Sequence, residues 1–317
     1  MLSKRDPVSD HWLYWTVLVG SFCRMPVKFL EGEDGSKLKI LEHEGFYIPT
    51  FPYPTHAQEY ATLPTWKARD DDLLVCAYPK SGTHWLWEVV SMLKQQKAER
   101  IDAIKEWNML EGMEQANFDS LPSPRILNTH IYFRHLPKDF KNRKCKILYM
   151  LRNPKDVAVS FYNHHSKVLE YEYSGSWEHY FTRYLKGDVD YGSWFEYTLD
   201  WERVMEDNPE YPIHTLHYES MKQNSLNEIK RIAKFLEIEV TDDLVREIDD
   251  LCSFEKMKKE KNKHEDVNEW KDKEPGMYRK GQVGDWKNWF TVAQDDLFDK
   301  FYKEKMSKSK VKMQFSV

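Results

Sequence analysis

Residues 73–90 have the sequence LLVCAYPKSGTHWLWEVV, which joins an apolar run to a loop and then to a periodic segment. The continuous apolar run at residues 73–78 is typical of a strand buried on both faces. Apolar side chains at helical spacing predict a helix over residues 83–96. The loop between them brings backbone N–H groups, the positive end of a helix dipole and the Lys80 ammonium together, which suits an anion.

The loop is not a Walker A motif, because GxxxxGK[ST] is absent and Lys80 precedes Gly82. Taken alone, the PKSGT segment is also compatible with an ordinary turn. Further along the chain, strands and helices continue to alternate, and Asn153 and Pro154 have the residue types of a helix N-cap and first helical position. The later strands are predicted at residues 125–129, 146–151 and 213–218, and the later helices at residues 154–168 and 225–236.

This alternation predicts an α/β fold with a central parallel sheet flanked by helices on both faces. We expect a single domain at residues 46–317, preceded by an N-terminal extension and lead-in segment at residues 1–45. Ligands of open parallel sheets bind beyond the carboxyl ends of the strands. The polar or cationic residues expected at that edge, besides the loop, are Asn128, Thr129, His130, Arg152, Ser160 and Tyr218, joined by Arg279, Lys280 and Gly281.

These residues predict an anionic nucleotide ligand with more than one phosphate-like group. The rings of Trp85 and Phe254 are candidates for stacking on its base. No Asp or Glu follows a strand in the way that a magnesium ligand would, so no metal is expected.

Composition narrows the function classes further. The 317 residues include 52 acidic and 47 basic ones, for a net charge of −5, which disfavours a protein that coats nucleic acid. Hydrophobic residues make up 41% and charged residues 31%, which excludes a disordered or fibrous chain. The four Cys residues form no CxxC pair, which argues against a zinc site or a disulfide framework and favours a reducing compartment.

Two segments leave alternatives open. Residues 11–23 are apolar and follow Lys4 and Arg5, so a membrane anchor is one interpretation, although the run is short for a spanning helix. Met25 is an alternative start, which would make residues 1–24 an upstream extension. Residues 258–274 are nearly all charged or polar, which predicts a solvated, mobile segment or, alternatively, a lid over the site.

Three motifs occur in a defined order: YPKSGTHW at residues 78–85, RNPKDVAVSFY at residues 152–162 and RKGQVGDWKNWFT at residues 279–291. Together they closely resemble the cytosolic sulfotransferases, and the resemblance runs from about Asp71 to the C-terminus. It implies a P-loop-like phosphosulfate-binding loop, 3′-phosphoadenosine 5′-phosphosulfate (PAPS) as the donor and PAP as the product.

The resemblance also implies residue roles. The implied catalytic residues are His130 as general base, Lys80 at the leaving bridging oxygen, and Ser160. The implied donor-binding residues are Lys80, Ser81, Gly82, Thr83, His84 and Trp85 in the loop and helix start, Arg152, Ser160 and Tyr218 at the other strand ends, Cys252, Ser253, Phe254 and Met257 in one family segment, and Arg279, Lys280 and Gly281.

Four positions depart from the family pattern. His84 replaces a second Thr of the loop, and Cys252 stands where a Thr is usual. Asn128 stands where many phenol- and estrogen-acting members have a Lys, so phenol-type specificity is not implied. The stretch containing Lys287, Thr291, Val292 and Asp296 resembles a short homodimer motif with Asp296 in place of Glu; a plain helix start is the alternative interpretation.

The resulting hypothesis is a cytoplasmic sulfotransferase that modifies a hydroxyl of a small, hydrophobic acceptor such as a phenol, steroid or alcohol. Neither nucleic-acid binding nor stable membrane insertion is expected. The alternatives are a catalytically weak PAPS- or PAP-binding protein and a membrane-anchored sulfotransferase. Aromatic candidates for the acceptor pocket are Tyr132, Phe133, Phe161 and Trp107, each of which is equally interpretable as a core residue.

Overall fold

A computed structural model describes residues 26–50, 57–101, 105–263, 266–274 and 276–316. The apolar run at residues 11–23, the alternative start at Met25 and the extension at residues 1–24 lie outside the described residues. The expected boundary at residue 45 falls between two short strands and stays a prediction.

Two sheets and a set of helices make up the described chain. The strands β1–β7 are Val27–Glu31, Lys37–His43, Phe46–Ile48, Leu73–Ala77, Ile126–Thr129, Lys146–Leu151 and Ile213–His217. The α-helices α1–α12 are Ala57–Thr62, Thr83–Gln95, Gln115–Ser120, Lys138–Arg143, Pro154–Lys167, Trp177–Lys186, Trp194–Asp207, Tyr218–Gln223, Ser225–Phe235, Asp242–Leu251, Phe254–Lys261 and Val292–Lys305. Short 3-10 helices are Leu63–Thr65, Lys105–Asn108, Leu110–Gly112, Phe133–His135, Leu169–Tyr171, Val267–Glu269 and Asp285–Asn288.

The central sheet is parallel, in the order β5-β4-β6-β7, which confirms the predicted fold class. Each predicted strand forms, with its end shifted by one residue at three places. Tyr78 already belongs to the loop after β4. Arg125 precedes β5, where Asp72 binds its buried guanidinium at 2.6 Å. Tyr218 begins the short helix α8, which the sequence did not predict.

The central strand β4 is buried on both faces, as its apolar run predicts. Its residues alternate between two cores, so that Leu74 and Cys76 face one and Val75 faces the other. Helix α2 covers the second core, and α5 and α7 contribute side chains to the first. Helices therefore cover both faces of the sheet. Burying each large apolar side chain of such a strand contributes about 1.5–3 kcal/mol to the stability of the fold.

An antiparallel sheet of β1, β2 and β3 precedes the parallel sheet and was not predicted. Strand β1 alternates between exposed and half-buried residues, so it has no strong apolar signal. Leu38 and Ile40 of β2 are fully buried and join the same core as Leu74.

The segment at residues 258–274 is mostly exposed or half-buried where it is described, as a solvated stretch would be, but part of it is ordered against the core. Helix α11 extends into it as far as Lys261, and Trp270 is only 1% exposed. Trp270 forms a backbone bridge with Val168, and a side chain at Gly276 would meet the Trp270 ring at 2.3 Å. The physical reason is a single large aromatic side chain, which packs into the core although its neighbours in the sequence are charged.

Cys76, Cys145 and Cys252 are buried and free of disulfides. Cys76 and Cys145 lie in or beside apolar runs, which predicts small buried hydrophobic side chains, and their burial confirms this prediction. Among the residues with described coordinates, no group of three or more His, Cys, Asp or Glu side chains is arranged to hold a metal ion. Within the same residues, no helix combines the length and the apolar character that crossing a membrane requires.

Candidate active site

The ends of the four parallel strands meet at one edge of the sheet, as predicted. Strand β4 lies between β5 and β6, and its pairing places Cys76 opposite Thr129 and Ala77 opposite Met150. The loop after β4 therefore lies between the segments that follow β5 and β6.

The loop at residues 78–82 turns directly into helix α2. Lys80 and the N-cap residue Gly82 both have a positive φ, at 64° and 105°. A side chain at Gly82 would also meet the ring of Tyr218 at 2.8 Å, so this position favours glycine on two grounds. The first N–H groups of the helix have no partner within the helix and point toward the loop.

Ser81 supplies a polar group that suits an oxyanion. Its side chain is 1% exposed, and its Oγ atom has no hydrogen-bond partner among the described residues. A buried hydroxyl in this state costs free energy until a ligand binds it. The Lys80 Nζ atom lies nearby in the same loop, 3.2 Å from the Met277 sulfur. The loop thus combines a buried hydroxyl, an ammonium and helix N–H groups, which fits a phosphate or sulfate.

Arg152 links the loop to its neighbours. Its Nη1 atom donates a hydrogen bond of 2.8 Å to the Lys80 carbonyl oxygen, and its Nη2 atom lies 3.5 Å from the Gln282 carbonyl oxygen. The guanidinium also lies 4.3 Å from the centre of the Tyr218 ring. The ends of β6 and β7 therefore contact the loop after β4.

The cationic segment at residues 279–281 lies next to the start of helix α5. Asp285 forms ion pairs of 2.6 and 2.7 Å with Arg279 and Lys280. Burial acts to raise the pKa of Asp285, but hydrogen bonds from Lys280, Asn288 and Arg279 lower it to about 2. These contacts keep the carboxylate ionised and orient both cations.

Helix α5 holds the turn that follows this cationic segment through Asp156, whose carboxylate accepts hydrogen bonds of 2.7 and 3.0 Å from the backbone N–H groups of Gly284 and Trp286. Ser160 is half-buried and lies four residues after Asp156, on the same helix face. The structure thus brings the helix face that carries Ser160 toward the Arg279–Lys280 segment.

The aromatic candidates are half-buried. Trp85 makes an edge contact with Tyr218 at a centroid distance of 5.7 Å. A side chain at Gly281 would lie 2.2 Å from the Phe254 ring, so the backbone of the cationic segment lies directly on that ring. The Phe254 ring contacts the Tyr278 ring at a centroid distance of 6.4 Å.

The remaining residues of the Cys252–Met257 segment divide by burial. Cys252 and Met257 are each 2% exposed and pack in the same core as Tyr218, whereas Ser253 is exposed. Burial raises the pKa of the Cys252 thiol to about 12, so the thiol stays protonated at neutral pH.

His130 is held in one orientation after β5. Its Nδ1 atom lies 2.7 Å from the Ala77 carbonyl oxygen, and its backbone N–H donates a 2.7 Å hydrogen bond to Glu111. Glu111 also accepts a 2.6 Å hydrogen bond from the Thr129 hydroxyl. Burial and, to a lesser extent, the charge of Lys105 lower the pKa of His130 to about 3, although the hydrogen bond with the Ala77 carbonyl acts in the opposite direction.

A charged network beside His130 was missed by the sequence reasoning. The Nζ atom of Lys105 donates a 3.0 Å hydrogen bond to the Asn128 side chain, and Nε2 of His84 lies 2.7 Å from Glu106. Burial acts to raise the pKa of Glu106, but His84 and Lys105 overcome it and hold the pKa below its usual value. Glu111, Lys105 and Glu106 occur in no recognisable motif, so no sequence signal identifies them.

Comparison with known proteins agrees with this geometry. A family model described as the sulfotransferase domain matches residues 70–310. Sulfotransferase 1B1 of Canis lupus familiaris is 38% identical over 80% of this chain and 89% of that protein. The crystal structure of mouse sulfotransferase SULT7A1 complexed with PAP is 32% identical, covers 85% of this chain and 95% of that one, and superposes with a TM-score of 0.70.

A structure of retinol dehydratase in complex with retinol and PAP covers 92% of this chain and 100% of that one, with a TM-score of 0.75. At 18% identity this likeness shows the fold alone. The family match spans most of the sequence, and the relatives at higher identity include one solved with PAP. The chain therefore belongs to the sulfotransferase family and is a PAPS-dependent sulfotransferase.

Proposed function

We propose that this chain transfers a sulfuryl group from PAPS to a hydroxyl of a small, hydrophobic acceptor, with His130 as the general base. The observation that carries this proposal is the 2.7 Å contact between His130 Nδ1 and the Ala77 carbonyl oxygen. A carbonyl only accepts hydrogen bonds, so Nδ1 carries the proton and Nε2 keeps its lone pair. That tautomer has a basic nitrogen available for an acceptor hydroxyl.

The electrostatic setting of His130 supports the same role. With a pKa lowered to about 3 by burial and by Lys105, the ring is neutral at physiological pH. A bound anion next to the ring favours the protonated form and raises the pKa toward the working pH. His130 is thus poised to take a proton when the anionic donor is in place.

The donor-binding roles follow from the contacts at the sheet edge. The unpartnered Ser81 hydroxyl and the helix start support binding of the 5′-phosphosulfate there. The proposed binding residues are Lys80, Ser81, Gly82, Thr83 and His84 for the phosphosulfate, Trp85, Phe254 and Tyr218 for the adenine, Arg152, Ser160, Arg279, Lys280 and Gly281 for the 3′-phosphate, and Cys252, Ser253 and Met257 in the adjoining segment.

The proposed step is one in-line displacement. The acceptor oxygen forms a bond to sulfur while its proton passes to Nε2 of His130. The bond between sulfur and the bridging phosphate oxygen breaks, and its electron pair leaves on the 5′-phosphate of PAP. Lys80 stabilises the charge that develops on that oxygen, so the protein acts mainly by positioning and charge stabilisation.

A hydrophobic acceptor is supported by the side chains around the proposed base and the loop. The Tyr191 ring contacts the His130 ring at a centroid distance of 5.4 Å, and Met277 contacts Lys80. Of the aromatic candidates, Tyr132, Phe133 and Phe161 are buried in the first core. Trp107 is 64% exposed, so it is not a core residue.

A weakly active nucleotide-binding protein is the second candidate. The observation that favours it is the pairing of His84 with Glu106, because this pairing engages a loop side chain that would otherwise contact the donor. The presence of Lys80, Ser160 and His130 at the positions that the family resemblance implies favours an active enzyme.

We also propose a cytoplasmic homodimer. The buried, free Cys76, Cys145 and Cys252 support a reducing compartment. Thr291 caps helix α12, and the next residue, Val292, is 81% exposed, which is unusual for an apolar side chain. A dimer contact through Lys287, Thr291, Val292 and Asp296 would cover it. Cell fractionation and light scattering of the full chain test these two points.

The experiment for the catalytic role is His130→Asn. The Asn side chain keeps a donor near the Nδ1 position but removes the base, so kcat should fall by about 10²–10⁴-fold. Affinity for PAP, measured by calorimetry, should stay unchanged. Turnover within a few-fold of wild type would refute the role of His130.

A further inference from the structure

A buried ammonium, that of Lys105, lies beside the proposed base and contributes to its lowered pKa. Lys105 is 3% exposed, and its Nζ atom donates a 3.0 Å hydrogen bond to Oδ1 of Asn128. The Asn128 amide donates in return to the Lys105 carbonyl oxygen at 2.7 Å. These two hydrogen bonds fix the Lys105 main chain and side chain against the end of β5.

The position of this ammonium connects the base to the donor loop. Asn128 precedes His130 by two residues, and the charge of Lys105 contributes to the lowered pKa of His130. The next residue, Glu106, contacts His84 of the loop at 2.7 Å. The charge of Lys105 therefore acts on the residue that would take the acceptor proton, and its chain neighbour contacts the loop that would bind the phosphosulfate.

The ammonium is only partly neutralised by the protein. Among the described residues its hydrogen-bond acceptor is the neutral Asn128 amide. The Glu106 carboxylate lies 3.8 Å away and is also engaged by His84, and the Glu111 carboxylate, which interacts with Lys105 electrostatically, accepts hydrogen bonds from Thr129 and the His130 N–H. An ammonium has three N–H groups, and removing it from water is costly unless a counter-charge is supplied. An anionic ligand bound at the loop would supply that charge.

We propose that Lys105 is a second catalytic ammonium, which binds the sulfuryl oxygens together with Lys80 as the group is transferred. This inference rests on the proposed function. As the bond from sulfur to the bridging oxygen breaks and the acceptor oxygen bonds to sulfur, the sulfuryl oxygens lie between the two cations. Preorganised charge of this kind acts on the transition state, so it affects kcat more than ground-state binding.

The position of Asn128 suggests a direct test. The side chain of residue 128 contacts the Lys105 ammonium. A lysine introduced at residue 128 can therefore place its own ammonium near the position that the Lys105 ammonium occupies. The variants are Lys105→Met, Lys105→Arg and the double variant Lys105→Met with Asn128→Lys. Lys234→Met, on the exposed side of α9, is the matched control.

Each purified variant is assayed with labelled PAPS, and its affinity for PAP and its melting temperature are measured. Lys105→Met should lower kcat about 10- to 100-fold, while PAP, which has no sulfuryl group, should bind with less than about a threefold change. The kcat of the double variant should be at least about tenfold higher than that of Lys105→Met. The kcat of Lys105→Arg should be closer to the wild-type value than that of Lys105→Met. The His130 pKa, followed by NMR, should rise in Lys105→Met because a neighbouring positive charge is gone.

Two outcomes would overturn the inference. One is wild-type kcat in a folded Lys105→Met variant. The other is a kcat loss that accompanies a lowered melting temperature and that neither the Arg variant nor the double variant restores, which would indicate a packing role. If the wild-type protein itself transfers no label, the proposed function fails instead, so the two failures are distinguishable.

Discussion

The Nη1 atom of Arg152 donates a 2.8 Å hydrogen bond to the carbonyl oxygen of Lys80. This bond joins the end of β6 to the loop after β4, and it stabilises a Lys80 backbone whose φ of 64° is unfavourable for a residue with a side chain. Two cationic side chains from adjacent strands are thereby held at one edge of the sheet. The proposed binding of an anion at this edge therefore depends on the backbone arrangement as well as on side-chain charge.

Lys80→Met removes the ammonium and keeps an unbranched apolar side chain, so it tests the role of the charge. Because Lys80 is proposed to contact the donor and to stabilise the leaving oxygen, kcat should fall by about 10²–10³-fold and the KM for PAPS should rise. Steady-state kinetics with labelled PAPS measure both. Unchanged values, relative to the exposed control Lys234→Met, would refute this role.

Ser81→Ala should separate stability from binding. The Ser81 hydroxyl is buried and unpartnered among the described residues, so its removal should leave the ligand-free protein as stable as wild type or up to about 1 kcal/mol more stable. PAP affinity should decrease about 10- to 100-fold, because a hydrogen bond to a charged group is worth about 1.5–3 kcal/mol. Urea unfolding and calorimetry are the measurements. A clear loss of stability with unchanged PAP affinity would contradict the assignment.

Glu88→Gln should loosen the helix that carries Phe254. Glu88 is 1% exposed and binds Arg100 at 2.9 Å and Lys261 at 2.6 Å, so its charge ties α11 to α2. Loss of this charge should lower the free energy of unfolding by about 1–3 kcal/mol and weaken PAP binding several-fold.

The matched control for Glu88→Gln is Glu237→Gln. Glu237 is 82% exposed and pairs with Lys146 at 3.2 Å. Exposed ion pairs contribute about 0–1 kcal/mol, so this variant should be nearly unchanged in urea unfolding and in PAP calorimetry. Equal effects of the two substitutions would show that Glu88 has no special part in holding α11.

His130 should make the protein less stable in acid. Its pKa is lowered to about 3 in the folded protein by burial and by Lys105, but it is about 6.5 in an unfolded chain. Between those values the unfolded state binds one more proton, so stability falls as the pH falls, by about 1.4 kcal/mol per pH unit. The His130→Asn variant should have a shallower dependence over this range in urea unfolding. Parallel curves would mean that His130 titrates normally.

The sequence predicted those parts of the fold that depend on local patterns. The apolar runs of β4 and β6 and the Asn153–Pro154 helix start are continuous in the sequence, and the structure forms each of them. The convergence of strand ends followed from the parallel topology. The Tyr78–Gly82 loop was recognisable as a candidate anion site because it directly follows an apolar strand and leads into a helix.

Other features depend on contacts between distant residues and gave no local signal. Lys105 contacts Asn128 and Glu111 contacts His130 only after the 3-10 helices at residues 105–112 pack against β5. Trp270 is buried although its neighbours in the sequence are charged, because its large apolar ring packs into the core. The average composition of the stretch does not reveal this single residue. These are tertiary effects, and they include much of the electrostatic surroundings of His130.

The most direct test of the account is transfer of labelled sulfate from PAPS by the purified full chain to a panel of phenols, steroids and aliphatic alcohols. We expect a labelled, sulfated product and one equivalent of PAP for at least one hydrophobic acceptor, with the His130→Asn variant about 10²–10⁴-fold slower. Tight PAP binding without labelled product from any acceptor would contradict it and would leave the nucleotide-binding alternative.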